Sequence, residues 1–599
     1  MLKTTLGIIL LLAPFLLLYR FKDKKIGFAY ILSFLIAFHL AVAVITQAFG
    51  VFRWNLIIII NVIVDIIILT RIKYKELLDS IKKIKLSKID WVLISVLLII
   101  LIELFSVHYN YTGKVTSVVE NYKEVENMKY PYPYFSDEWC AVSLVQYSIK
   151  SGKLPMVNPL WYDSFLPNLE LPFHSFVSEI ILFLNLNPLN QYTILTIFSG
   201  LLICLLVYFI LRISDVGKLA SLITCLFVPY IVNGANLPGV WTLIPLVIGI
   251  ISMLLGILFM SANKHKMVLF TGFLTLIFYP PLFVLYSVAL IFYFVFAEMP
   301  KKQKIKYILF YFLIIIAAAI FVGIFSYLRM DAPLKWFIVD YIGSKLIYPT
   351  FTKGAIPSFL IYKVIPIPIL LLSIFGAFKT FKKKLWLIMP IFIGLAYWWL
   401  YSFILLRFII EYERVVFSTS ILITLLAGFG LHYFIEDLEK LNFIRKYKIL
   451  QIIQISILVL FITFSFFYTQ RDTWQELKLY SVYDDSVYNP ASPANQYLHE
   501  DDLRLFENIS EKKFLSLPWK GLVIGVATNN YPLVSKDSTI TNKIVDYGEF
   551  SSADCKNKTA IAKEKGIDYV YSKEFNCTGF KEIGKSREDL VLYEVKRNT

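Results

Sequence analysis

Residues 134–161 read YFSDEWCAVSLVQYSIKSGKLPMVNPLW, and they do not look like their surroundings. Long apolar runs lie on either side. Here two adjacent acids, Asp137 and Glu138, open a segment with apolar residues at 139, 142, 145 and 149, which is helical spacing. Gly152 stands where such a helix would stop. Taken alone, Asp137 reads as a helix cap, a position that favours Asp. The rest of the chain decides whether that is all it does.

The chain of 599 residues is 58% hydrophobic with a mean hydropathy of +0.66. Soluble domains sit at roughly 45–50% apolar. The excess is gathered into apolar stretches at 4–19, 26–48, 55–70, 91–107, 191–211, 219–233, 238–260, 267–279, 282–298, 307–328, 359–378, 385–403, 415–435 and 448–468. Most approach the about 17–25 residues that cross a bilayer. The fold class is therefore an α-helical polytopic membrane protein of about fourteen spans, two of them short enough to form one hairpin around YPPL. The first stretch, TTLGIILLLAPFLLLY, has the apolar centre of a signal peptide. No small-residue cleavage site follows and another span comes at once, so it reads as a span.

A net charge of +16 raises the question of nucleic acid, and its location answers it. Alternate loops are basic: RFKDKK, RIKYKELLDSIKKIKLSK, RISDVGK, SANKHK, KKQKIK, KTFKKK and EDLEKLNFIRKYK hold 27 Lys and Arg. The short loops of the opposite set hold 7. Such a bias orients membrane proteins, so the first set is expected in the cytoplasm and no nucleic-acid partner is implied. The N-terminus, residues 108–190 and everything after about 469 then lie outside, in a protein of the plasma membrane.

Three regions follow in chain order: a three-span preamble at 1–90, a transmembrane core at 91–468 that carries the large external loop 108–190, and a tail at 469–599. The tail has 18 basic and 20 acidic residues and mixes periods. LVIGVAT and DYVYS read as short strands and NKTAIAKEKG as a helix stopped by Gly566, so a small α/β extracytoplasmic domain is expected. Cys555 and Cys577 fall within it, where oxidation is permitted. They are either a disulfide or two buried thiols. In the loop, PFHSFVSEIILFLNL is a second amphipathic segment, and it and the acid-pair helix suit the membrane surface.

This layout resembles the GT-C superfamily of membrane glycosyltransferases. The motifs that carry the resemblance are SDEW…SIKSGKLP…NPLW, LPFHSF and the Pro-containing LIFYPPLFVLYSVALI, followed by a polar tail after the last span. The resemblance spans most of 91–599 and leaves the first 90 residues outside it. It implies an enzyme that moves one sugar, with inversion, from a polyprenyl-phosphate donor to an extracytoplasmic glycan, lipid or protein. It implies Asp137 as general base, with Glu138 supporting it or sharing a divalent cation, Mg2+ or Mn2+, with Asp137. No other cofactor is implied.

The chemistry is consistent with that placement. A carboxylate facing an anomeric carbon can take the proton of an acceptor hydroxyl, and paired carboxylates suit hard ions. Donor phosphate calls for cations. Arg407 and Arg414, with Glu411 between them, are seven apart and share a face if that segment is helical; the alternative is local Arg–Glu pairing. Lys353, in the external loop 329–358, Asp163 and His174 are further candidates for donor or sugar contact, and Trp161 reads more simply as an interfacial anchor. Asp65 and Glu103 are acids within spans, where such residues are costly. No P-loop, dinucleotide fingerprint, HExxH or zinc spacing is present, and AYWWLYSF is not the WWDYG of oligosaccharyltransferase subunits.

Three other readings remain at this point. A flippase or transporter of lipid-linked saccharides predicts charged or broken helices at mid-membrane. A polysaccharide polymerase or ligase differs mainly in its donor. A scaffold predicts a dispensable acid pair.

Overall fold

Apolar runs become helices because a helix satisfies its own backbone, which lipid cannot do. The computed structural model describes residues 2–77, 90–117, 121–133, 136–156, 160, 168, 170–231, 240, 242–330, 347–349, 361–362, 365, 367–404, 406–408, 412–440, 456, 498–534 and 545–596. In chain order the elements are α1 (Leu2–Leu12), a 3-10 continuation at Ala13–Arg20, α2 (Lys24–Ala48), α3 (Trp54–Thr70) and α4 (Trp91–Tyr109). Next come the antiparallel hairpin β1 (Tyr111–Ser117) and β2 (Asn121–Met128), then α5 (Ser136–Ser151) and α6 (Leu171–Phe183). There follow α7 (Tyr192–Ile213), α8 (Lys218–Phe227), α9 (Pro245–Ser261), α10 (His265–Phe278), α11 (Pro280–Phe296) and α12 (Lys301–Met330). After these stand β3 (Ile347–Pro349), α13 (Ile367–Thr380), α14 (Leu385–Ile404), β4 (Leu406–Phe408) and α15 (Tyr412–Glu439). The tail holds α16 (Glu500–Leu505), β5 (Lys513–Ser516), α17 (Pro518–Thr528), β6 (Tyr531–Pro532), α18 (Tyr547–Ser552), α19 (Cys555–Glu564), β7 (Tyr569–Lys573), β8 (Phe580–Lys585) and β9 (Leu590–Val595).

Among the described residues, Leu2–Arg20, Lys24–Ala48, Tyr192–Ile213 and Arg414–Glu439 are long and apolar enough to cross a membrane. Shorter apolar helices stand at most of the other expected stretches; the stretch 448–468 lies outside the described residues.

Contacts divide the chain into two compact units that are each discontinuous in sequence. The first comprises Met1–Ala41, Ile58–Val107 and Ile194–Pro490. Its centre is α9, buried over Pro245–Met260 on every face, as a helix apolar all round should be. The hairpin of α10 and α11 turns at Tyr279, and Tyr286 in α11 donates back to the Val268 carbonyl of α10 at 2.7 Å. The tightest crossing joins α13 to α15. A Cβ on Gly430 would collide with the Leu372 carbonyl, and one on Gly376 would come within 2.7 Å of the Gly430 nitrogen. Small residues let two backbones meet where lipid supplies no hydrophobic drive between helices.

The second unit comprises Val42–Ile57, His108–Thr193 and Ala491–Thr599, so the external loop and the tail fold together. α5 packs against α6 and against α17 of the tail. Gly152 ends α5 in the left-handed region, φ +70°, its amide bonded to the Ser148 carbonyl at 2.9 Å. The tail sheet runs β6-β5-β7-β9-β8: β5 is parallel to β6 and β7, and β9 is antiparallel to β7 and β8. Leu515, Val570, Val591, Tyr593, Phe550 and Ala562 fill one side of it. DYVYS is strand β7, and Asp554 caps α19 by accepting from the Asn557 amide at 2.8 Å. Cys555 and Cys577 form a disulfide with Cα atoms 5.3 Å apart.

LVIGVAT is helix, not strand. It forms most of α17, with Leu522, Val523, Ile524 and Val526 all buried. Pro518 sits in the first turn, where its fixed φ suits a helix start. Gly521 and Gly525, four apart, put a bare strip against Pro532 and Val534. A short run buried on all sides carries no readable period, so packing overrides its β-branched composition.

Candidate active site

The acids lie in the first turn of α5, where unpaired N–H groups and the helix dipole favour carboxylates. Consecutive helical residues point about 100° apart, and here that separates them. Glu138 is 1% exposed, whereas Asp137 keeps partial access to water. Behind them Trp139 is fully buried and stacks on Tyr132, with centroids 6.3 Å apart. Tyr132 meets Tyr130 edge-on at 5.3 Å, and the Tyr130 hydroxyl accepts from the Leu498 amide at 2.9 Å. The fully buried Tyr192 lies within electrostatic reach of the Glu138, Glu170 and Asp137 carboxylates. Glu170, Tyr192, Tyr130 and Tyr132 were not singled out in the sequence; each is an ordinary loop or helix-end residue until folding gathers it here.

His174 is buried, with Nδ1 3.0 Å from Asn168 Oδ1. The Asn168 amide in turn donates to the Pro155 carbonyl at 2.7 Å. α6 has 13 residues, about 20 Å of helix and too short to span a bilayer core. Burial pushes the His174 pKa down to about 3, against a smaller upward effect of a backbone hydrogen bond at Glu170. The imidazole is thus neutral and ties the start of α6 to the loop before it.

Arg414 lies in the first turn of α15, half-buried, and its Nη1 donates to the Tyr279 hydroxyl at 2.6 Å. Tyr279 is the 3%-exposed residue at the turn between α10 and α11. Arg407 stands in β4 at the register of Tyr348 in β3. The two arginines therefore do not share a helical face. Leu406–Phe408 pairs with Ile347–Pro349 as a short antiparallel ladder, and the helix begins only at Tyr412. Asp163, Lys353, Glu411 and Trp161 lie outside the described residues. Among the described residues no group of three His, Cys, Asp or Glu gathers as a metal site.

No family model matches the chain, and no curated protein does. Solved structures are similar to it in fold. ArnT from Cupriavidus metallidurans in the apo state is similar with a TM-score of 0.52 at 12% identity, over 84% of this chain and 97% of ArnT. The oligosaccharyltransferase AglB from Archaeoglobus fulgidus, in complex with an inhibitory peptide and a dolichol-phosphate, is similar at a TM-score of 0.43 and 13% identity, over 82% and 70%.

Proposed function

We propose that this protein is an inverting membrane glycosyltransferase that moves a sugar from a polyprenyl-phosphate donor to an extracytoplasmic acceptor, a glycan, a lipid or a protein. The observation that carries the reading is the split of the acid pair. Asp137 retains water access at the start of a helix otherwise packed into the fold, and Glu138 is buried beside it. The shared fold with ArnT supports the same class. The proposal keeps about fourteen spans, the plasma membrane, and both the N-terminus and the tail outside, on the strength of the Lys/Arg loop bias.

In this reaction the acceptor hydroxyl oxygen attacks the anomeric carbon and its proton passes to the Asp137 carboxylate. The bond from that carbon to the phosphate oxygen breaks on the opposite face, and the polyprenyl phosphate leaves with the electron pair, so the anomeric configuration inverts. Asp137 acts as general base. Glu138, buried beside it, is assigned a supporting role. Arg414, whose guanidinium donates to the Tyr279 hydroxyl, is one candidate for contact with the donor phosphate. Arg407, Asp163, Lys353 and Glu411 stay as candidates for donor contact. We assign His174 to positioning, since it is buried and neutral. A Mg2+ or Mn2+ ion beside the leaving phosphate would neutralise its charge, and Asp137 and Glu138 are the carboxylates that would hold it.

The test is transfer from radiolabelled polyprenyl-phosphate hexoses and pentoses in membranes holding wild type or Asp137→Asn. The expected outcome is transfer by wild type that falls a hundredfold or more in the variant at equal expression. Equal activity in both would leave Asp137 a first-turn carboxylate with no part in transfer.

A further inference from the structure

The tail contains a buried ionic cluster that the reaction does not use. Lys520, in the first turn of α17, is fully buried, with Nζ 2.5 Å from Asp502 Oδ2 and 2.6 Å from Glu588 Oε2. Asp502 Oδ1 accepts from the Tyr571 hydroxyl at 2.6 Å, and Asp502 Oδ2 accepts from the His499 amide at 2.8 Å. Burial alone would lower the lysine pKa, but the two carboxylates outweigh it and raise it. One ammonium thereby joins α17, the capped start of α16 and the β8–β9 turn, and through Tyr571 it reaches β7.

Burying such a cluster rarely adds stability over an apolar core; its better-attested use is to fix one geometry. Here one of the two helices it fixes, α17, packs on α5, and the other, α16, starts beside a residue that bonds Tyr130. The residue just before the α16 cap, Leu498, donates its amide to Tyr130, and Tyr130 leads through Tyr132 to Trp139 in the first turn of α5. The Tyr132 hydroxyl also feels the charge of Glu500 in α16. α17 packs on the body of α5, and Lys150 at its far end stands 3.4 Å from Glu511 of the tail. The tail packs on the body of α5 and reaches its first turn through Tyr130 and Tyr132.

We infer that the Lys520–Asp502–Glu588 cluster is a positioning device: it locks α16 and α17 in one relation, and through Tyr130 and Tyr132 it sets the orientation of the first turn that carries Asp137. This rests on the glycosyltransferase reading for its catalytic consequence, though not for the contact itself.

The experiment compares wild type, Tyr130→Phe, Lys520→Met, Lys520→Arg and the exposed control Lys581→Ala in the full-length protein. Each is assayed for kcat and KM of sugar transfer and for amide hydrogen exchange over 136–151. Tyr130→Phe removes the acceptor for Leu498 while keeping the ring, and is expected to lower kcat about tenfold with KM within twofold, while exchange in the first turn of α5 rises. Lys520→Met is expected to do more, Lys520→Arg to recover part of the loss, and Lys581→Ala to match wild type. Intact Cys555–Cys577 linkage and unchanged exchange in β7 and β9 establish that the tail is still folded; if Lys520→Met fails this check, Tyr130→Phe decides. Faster exchange confined to 498–528, with 136–151 and kcat unchanged, overturns the inference. If wild type transfers from no donor, the functional reading falls, and the exchange at 136–151 still decides whether the tail positions the helix.

Discussion

The two compact units are held together by different means. In the first, backbones touch: Gly376 and Gly430 bring α13 and α15 together closely enough that neither accepts a Cβ, and the Tyr286 hydroxyl bonds a carbonyl across the α10–α11 hairpin. In the second, a sheet buries an apolar core, a lysine is buried between two carboxylates, and a disulfide closes a loop. The difference follows from the solvent. Where lipid replaces water, apolar surface gains nothing by meeting apolar surface, so close packing and hydrogen bonds remain. In water, burial drives collapse and ionic groups then fix its register.

This contrast can be broken at four points, taken in order of expected effect. Gly430→Leu forces the Leu372 carbonyl away and separates α13 from α15, so detergent-extracted protein is expected to lose its monodisperse peak; a variant that elutes and melts like wild type removes the backbone-contact argument. Cys577→Ser opens a link between residues 22 apart, and in the chain-entropy model it costs the tail about 3 kcal/mol. Chemical denaturation followed by limited proteolysis of the tail measures it, and no shift in midpoint would assign the stability to the sheet alone.

The third point is pH. The His174 pKa is about 3 in the fold, below the roughly 6.5 of an unfolded histidine. Between those values the unfolded chain binds the extra proton, so stability is complete above about pH 6.5 and falls as pH falls. By pH 5 the loss is about 2 kcal/mol. Urea midpoints from pH 7 to pH 5 are expected to drop in wild type and to drop less in His174→Gln; parallel slopes would show that the imidazole is not kept neutral. The smallest effect is at Lys150 and Glu511, whose side chains are 70% and 63% exposed. Lys150→Ala is expected to change stability by less than about 0.5 kcal/mol, and a larger loss would mean the pair is shielded from solvent.

Much of this fold was legible in the chain because its signals are local. Apolar stretches gave helices at Lys24–Ala48, Tyr192–Ile213 and Tyr412–Glu439 within a few residues of their expected limits. The acid-pair helix and its Gly152 stop were equally readable, since a helical period, a first-turn acid and a left-handed glycine all lie within sixteen residues. LVIGVAT misled because a run buried on every side has no period. The helical condition under which Arg407 and Arg414 would share a face is not met, because a three-residue ladder with Ile347–Pro349, far away in sequence, takes Arg407 into a strand.

By itself, then, the sequence determined the membrane class and the position of the acidic turn, and it offered candidates for chemistry there, because composition, period and charge bias are properties of neighbours in the chain. Only the tertiary structure decided that Asp137 keeps water access while Glu138 loses it, that Arg414 pairs with Tyr279, and that the tail folds with the external loop around α5. Those outcomes depend on which distant segments arrive against each face. Burial and partner choice are set by that arrival, and no stretch of sequence carries it alone.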